Sequence, residues 1–370
     1  MTNSDLSLAH GGNLDWAARL VGCTPPEILD FSASINPLGM PASVRAAIWA
    51  ALPQVYAYPD RDYQDLRQAI ADYHQIDPTW VMPGNGAAEL LTWAARNLAD
   101  ANTGLVGLVR PAFGDYDRAL LAQGVTGLPL GFDFTPVAPG ILALWQGAWG
   151  RSLLLNNPHN PTGKLWQRSE LLPLLDRFKL VVIDEAFMDF LADRESLIQA
   201  VESYPNLVIL RSLTKFYGLP GLRIGYAIAA PARLQRWQKW RDPWSVNVLA
   251  QAAAIAGLAD LEFQQRTWAW LPTAREHLFN GLTQIPGLEP QPSAANFILV
   301  KTRVSSLALR QYLLFNHRIL IRDCQSFPEL GDRYFRVCVH TIANQTQLLA
   351  ALAQAVTELD FNSERSQFFS

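Results

Sequence analysis

An α/β fold built on a mainly parallel sheet follows from three features of this 370-residue sequence. Short apolar runs of strand length (residues 105–109, 153–155, 180–183, 207–210 and 224–229) alternate with segments of helical length and spacing. The runs are nearly continuous in apolar residues, which is the texture of strands covered on both faces. Polar turns follow them, and ligands of open α/β sheets collect beyond the carboxyl ends of such strands.

Composition narrows the class. Apolar residues make up 49% and charged residues 17%, so the chain can bury a large core and a smaller second one. Lysine and arginine number 30 against 33 acidic residues, a net charge of −3, and no basic run or zinc spacing points to nucleic acid. Cys23, Cys324 and Cys338 are scattered, with no C-x-x-C pair. That argues against a disulfide framework and against a structural metal, and fits a reducing cytoplasm. The polar amino terminus lacks a signal-peptide pattern, and no apolar stretch reaches the roughly 18–20 residues of a membrane span.

Taken in order, the chain opens with an arm, residues 1–41. Gly11-Gly12 and Asn36-Pro37 mark irregular backbone there, around a short amphipathic helix at 14–20. Helices are expected at 43–51 and 62–74, with a Pro59-containing loop between them. From GNG at 84–86 the α/β alternation begins, and it defines a large domain, 42–242. Longer helices at 246–258 and 261–282 then lead into a smaller α/β unit, 243–370, with strands at 296–301, 319–323 and 334–340.

Several residues cluster at the predicted strand ends. Lys215 follows the run 207–210 and is placed on a loop just beyond it, where a lysine can form a Schiff base with a carbonyl cofactor. Ser212, Thr214 and Arg223 beside it suit an anionic phosphate. Gly86 and Ala87 open a helix whose free N–H groups suit the same anion, although most glycine-opened helices bind nothing. Asp184 ends the run KLVVID; alone, such an aspartate is more often a cap or half of an ion pair. Arg322 and Arg336 lie within apolar strands, where burial of a guanidinium is costly unless it meets an anion. A structural ion pair would account for them equally well.

Ser212, Lys215 and Arg223 stand at K−3, K and K+8, a spacing that resembles the pyridoxal-phosphate segment of the fold-type I aminotransferase superfamily. With AHGGN, LDFSASINPLG, YPDRDY, GNGAAE, NPTG, IDEAF, PWSVN and ILIRDC, the whole chain resembles the threonine-phosphate decarboxylase family of cobalamin biosynthesis. The resemblance implies a pyridoxal 5'-phosphate enzyme with a large sheet domain and a smaller C-terminal domain. It implies covalent attachment at Lys215, with Asp184 at the ring nitrogen, Asn160 at the phenolic oxygen and Phe113 over the ring. Phe187 stands where many relatives have a tyrosine, so that donor is missing and Asn160 carries the contact alone. Gly86, Ala87, Ser212, Thr214 and Arg223 would hold the cofactor phosphate, and Tyr58 would reach the cofactor of a neighbouring subunit in a homodimer with shared sites. His10, Gly11, Ser34, Asn160, Arg322 and Arg336 would surround a small phosphorylated amino acid. Ser34 departs from the asparagine usual in FSANINPLG, and serine lacks the amide's paired donors and acceptor. The implied reaction is loss of CO2 from L-threonine O-3-phosphate, giving (R)-1-amino-2-propanol O-2-phosphate. Histidinol-phosphate aminotransferase, which shares the cofactor set, is the rival reading, and a non-catalytic binding module on the same fold is a second.

Overall fold

The computed structural model describes residues 11–101, 105–131, 149 and 151–368. Its strands, in chain order, are β1 (Leu29–Asp30), β2 (Val81–Gly84), β3 (Leu105–Val109), β4 (Thr126–Leu130), β5 (Ser152–Asn156), β6 (Leu180–Asp184), β7 (Leu207–Ser212), β8 (Gly225–Ala229), β9 (Leu288–Pro290), β10 (Phe297–Thr302), β11 (Ile319–Leu320), β12 (Arg322–Asp323) and β13 (Tyr334–Cys338). The expected α/β architecture is present. The chain divides into two compact units. One comprises Leu38–Asn160 and Lys164–Trp268; the other comprises the described residues up to Pro37, Pro161–Gly163, and the chain from Ala269.

In the larger unit seven strands form one sheet in the order β2-β8-β7-β6-β5-β3-β4. All neighbours from β7 to β4 pair in parallel, and β8 alone runs against both of its partners. Because β3 leads outward to β4 while β5 leads the other way to β6 and β7, the strand order reverses between β3 and β5. That is the position where α/β sheets open a crevice. The helix Gly86–Asp100 covers one face, burying Leu90, Leu91, Ala94, Ala95 and Leu98 against Val106, Leu108 and Val208. Each such leucine contributes about 1.5–3 kcal/mol by leaving water.

The edge strands β2 and β4 were not expected from the sequence. Each carries a proline, Pro83 and Pro129, which removes a ladder donor and blurs the strand signal, and which an edge tolerates. The sequence reading also placed the change of domain near Asp242. The compact units change over at Trp268, inside the helix Leu261–Thr283, because the preceding helix Val248–Ala259 packs against Ala42–Ala51 and Gln64–His74.

The smaller unit holds an antiparallel sheet, β12-β13-β10-β9, and a parallel pair, β1-β11. Its arm helix Leu14–Val21 starts where Asn13 Oδ1 accepts the Trp16 N–H at 3.1 Å, and ends at Gly22, whose φ of 68° suits glycine. The single strand expected at 319–323 is in fact two. Ile319–Leu320 gives its backbone to the arm, with Leu29 N–H on Arg318 O and Phe31 N–H on Leu320 O, whereas Arg322–Asp323 pairs with β13. Changing partners at Ile321 breaks the ladder and puts Arg322 in the same sheet as Arg336.

Candidate active site

β7 is buried along its whole length and ends at Ser212, and Lys215 follows on a single helical turn, Leu213–Phe216, where a loop was expected. The Lys215 ammonium donates to Ser212 Oγ at 3.0 Å, and Ser212 Oγ lies 2.8 Å from Thr214 Oγ1. The Phe187 ring sits 5.9 Å from Lys215 Nζ and supplies an aromatic wall with no hydroxyl. The lysine is therefore half-buried and tethered at its tip, which restricts a side chain that otherwise carries much rotamer entropy.

Side chains alternate along β6 and β7, so the neighbours of the site residues point the other way. Arg211 is fully buried against Glu185 Oε2 at 3.1 Å, Asp189 Oδ1 at 2.8 Å and Asp193 Oδ1 at 2.7 Å. This ion cluster ties the end of β6 to that of β7 behind Asp184 and Ser212. Sequence reasoning missed it, although the acidic doublet Asp184-Glu185 and the doublet Arg211-Ser212, both at strand ends, carried the signal.

Asp184 pairs in register with Asn156 on β5 and Leu210 on β7, at the carboxyl end of the sheet. Its Oδ1 accepts the Ala186 N–H at 2.9 Å and its Oδ2 accepts the Tyr116 hydroxyl at 2.8 Å. Burial pushes the carboxyl above the usual range, while the Tyr116 hydroxyl, the Lys215 charge and the Ala186 N–H pull it back. Tyr116 was not singled out from the sequence. Phe113, which was, precedes the helix Gly114–Leu121 and meets Tyr116 edge-on at 5.6 Å. After β5 the Asn157 side chain clamps the loop to Trp166 through two 3.0 Å hydrogen bonds, and its N–H donates to Asp184 O at 2.9 Å. Asn160 is buried at the end of this anchored segment.

Gly86, Ala87, Ser212 and Arg223 also converge. A Cβ on Gly86, whose φ is +73°, would come within 2.7 Å of Arg223 Nη2. A Cβ on Gly225, the register partner of Ser212, would fall 2.8 Å from Ala87 N. Arg223 itself holds φ +59°, a left-handed conformation costing a non-glycine residue roughly 1–2 kcal/mol, the kind of strain that concentrates at functional sites. Hydroxyl, guanidinium and the N-terminus of a 15-residue helix thus meet in a space that only glycines leave open. Tyr58 lies apart, 80% exposed, with its ring 4.5 Å from that of Trp244.

In the smaller unit, Arg322 and Arg336 are register partners on β12 and β13, and both are buried. Burial, helped by the like charge of Arg322, pushes the Arg336 guanidinium down to about 10, so it stays charged at neutral pH. Arg336 lies over the Phe297 ring at 4.6 Å and donates to Ser32 O at 3.5 Å. Ser32 Oγ in turn accepts the Gly12 N–H at 2.8 Å, and a Cβ on Gly11 would strike Ser32 O at 2.3 Å, so this backbone packs as only glycine allows. Ser34 O accepts from Asn296 Nδ2 at 2.9 Å, while Ser34 Oγ is buried with no hydrogen-bond partner. Gly11, Ser34 and Arg336 are therefore brought to one neighbourhood, with Arg322 across the ladder. His10 lies outside the described residues.

The parallel sheet, the tethered lysine and the strand-end carboxylate define a class. Residues 26–352 match the family model for aminotransferase class I and II, and the chain belongs to that family. Among individual proteins, it is 39% identical over 94% of its length, and 97% of the other's, to the threonine-phosphate decarboxylase of Salmonella typhimurium. The L-threonine-O-3-phosphate decarboxylase of Porphyromonas gingivalis superposes with a TM-score of 0.77 at 26% identity, over 88% of this chain and 99% of that one. The histidinol-phosphate aminotransferase of Sinorhizobium meliloti, solved with pyridoxal-5'-phosphate, gives 0.83 at 25% identity, over 97% and 98%. The residues of the larger unit fit such a cofactor. They offer an amine, a buried carboxylate at the strand end, and a glycine-lined cradle with donors that would suit a phosphate.

Proposed function

We propose that this chain binds pyridoxal phosphate and removes CO2 from L-threonine O-3-phosphate, giving (R)-1-amino-2-propanol O-2-phosphate for cobalamin biosynthesis. The observation that carries the reading is the opposed pair Arg322 and Arg336, because two buried guanidinium groups suit a small substrate bearing both a carboxylate and a phosphate. Lys215 is the amine that holds the cofactor. Gly86, Ala87, Ser212, Thr214 and Arg223 bind its phosphate. Asp184 keeps a proton at the ring nitrogen, Asn160 donates to the phenolic oxygen, and Phe113 covers the ring. Once bound, pyridoxal phosphate supplies an electron sink for the bond broken at the substrate's α-carbon.

Arg336 takes the carboxylate, and Arg322 with His10 takes the phosphate. Gly11 lets the arm backbone pack closely, and the unpartnered Ser34 hydroxyl is free to bond the substrate directly or through water. Phe187 offers no hydroxyl, so Asn160 bears the phenolic contact by itself. We place Tyr58 against the cofactor of a second copy in a homodimer. Tyr58 is exposed beside Tyr56, Val55 and Trp49, an apolar stretch costly to leave in water. No helix among the described residues is long and apolar enough to cross a membrane.

The test is a product assay on purified, cofactor-loaded protein with threonine phosphate and no oxo acid. Release of CO2 with formation of aminopropanol phosphate supports the reading. Turnover of histidinol phosphate only in the presence of 2-oxoglutarate would replace it with an aminotransferase.

A further inference from the structure

Asp184 is held by one donor on each carboxylate oxygen, and one of the two comes from a distant helix. Tyr116 is a fully buried tyrosine on the helix Gly114–Leu121, and its ring meets that of Phe113, the residue that caps the helix, edge-on at 5.6 Å. Its hydroxyl spends its proton on Asp184 Oδ2 at 2.8 Å, and Ala186 N–H occupies Oδ1 at 2.9 Å. The carboxylate is thereby fixed in rotation by one donor on each oxygen, one from β6's own turn and one from a helix 68 residues earlier. We propose that Tyr116 is the positioning residue of this site, orienting Asp184 and keeping it ionised for a cationic ring nitrogen. The inference rests on the reading that the site takes pyridoxal phosphate.

The charge balance around Asp184 shows why this donor matters. Burial drives the carboxyl toward its neutral form, and the nearby Asp115 adds to that push; Tyr116, Lys215 and the Ala186 N–H oppose it. A neutral Asp184 would present no anion to a protonated ring, so losing one donor shifts the balance toward failure. Tyr116→Phe removes only the hydroxyl and keeps the ring that packs on Phe113. Loss of a hydrogen bond to a charged group weakens an interaction by roughly ten- to a hundredfold.

The experiment uses the full-length protein, without substrate. Pyridoxal phosphate affinity is measured by quenching of intrinsic fluorescence across pH 5 to 8 for wild type, Tyr116→Phe and protein carrying 3-fluorotyrosine at position 116. Removing a donor that favours the charged form raises the carboxyl's proton affinity. In Tyr116→Phe the acid-side loss of cofactor affinity therefore moves to higher pH, with affinity at pH 7 reduced about tenfold or more. The fluorinated hydroxyl, a stronger donor, moves the curve to lower pH and keeps a readout if the phenylalanine variant folds poorly. Unshifted curves in a wild type that binds the cofactor would overturn the positioning role and leave Tyr116 as core packing. A wild type that binds no cofactor at any pH would overturn the reading beneath it.

Discussion

Arg322 and Arg336 face each other directly across the β12–β13 ladder, two like charges paired inside a buried sheet. Like charges in that position destabilise an antiparallel pair, and burial adds to the cost, so the pair makes sense as a place for anions. Arg322→Met should leave the ligand-free protein as stable as wild type or more so. The same change should lower kcat/KM for threonine phosphate by about 30-fold or more, the equivalent of about 2 kcal/mol for a truncated charge pair. Arg336→Lys keeps the charge but loses the planar fork, and should fall short in kcat/KM as well. Thermal melts with and without substrate, beside steady-state kinetics, check both.

Lys215 donates to Ser212 Oγ and is only half-buried, so its removal leaves no large cavity. Lys215→Ala should fold normally by circular dichroism, lose all turnover and retain no cofactor after borohydride reduction. A variant that still turned over substrate would remove the covalent assignment.

Gly86 needs its φ of +73°, and the space where a Cβ would sit belongs to Arg223 Nη2. Gly86→Ala should cost roughly 1–2 kcal/mol in folding from the left-handed backbone. Its larger effect should be on cofactor affinity, because the flexible Arg223 tip yields first. Equilibrium unfolding of the cofactor-free protein and titration with pyridoxal phosphate separate the two.

His159 is fully buried against the Trp166 ring, with centroids 5.4 Å apart, and burial pushes its imidazole down from 6.5 to about 3. Between those values the unfolded chain binds a proton that the folded chain refuses, so stability falls as pH drops below 6.5. The slope from this one group approaches about 1.4 kcal/mol per pH unit. Urea unfolding at pH 7.5, 6, 5 and 4.5 should show a steeper acid loss for wild type than for His159→Gln, which cannot titrate.

Much of the chemistry was legible locally. Ser212, Lys215 and Arg223 lie within twelve residues, and Asp184 closes an apolar run, so strand length alone puts both at the end of the sheet. What escaped notice depended on partners far along the chain. Tyr116 meets Asp184 across 68 positions, and Arg211 reaches Asp189 across 22, and neither distance leaves a periodicity to read. The prolines of β2 and β4 hid two edge strands for a different reason, since a missing donor weakens the local signal while an open edge permits it.

The sequence by itself determined the alternation of strand and helix, the class of the fold and the reactive groups at strand ends, because these rest on short-range patterns of apolar and polar residues. Tertiary structure alone decided that β11 and β12 would part company, that Arg322 and Arg336 would stand opposite each other, and that a buried tyrosine would hold Asp184. Register and partner choice in a sheet depend on which faces of strands far apart in the chain are buried together, so no single stretch of a chain carries that information alone.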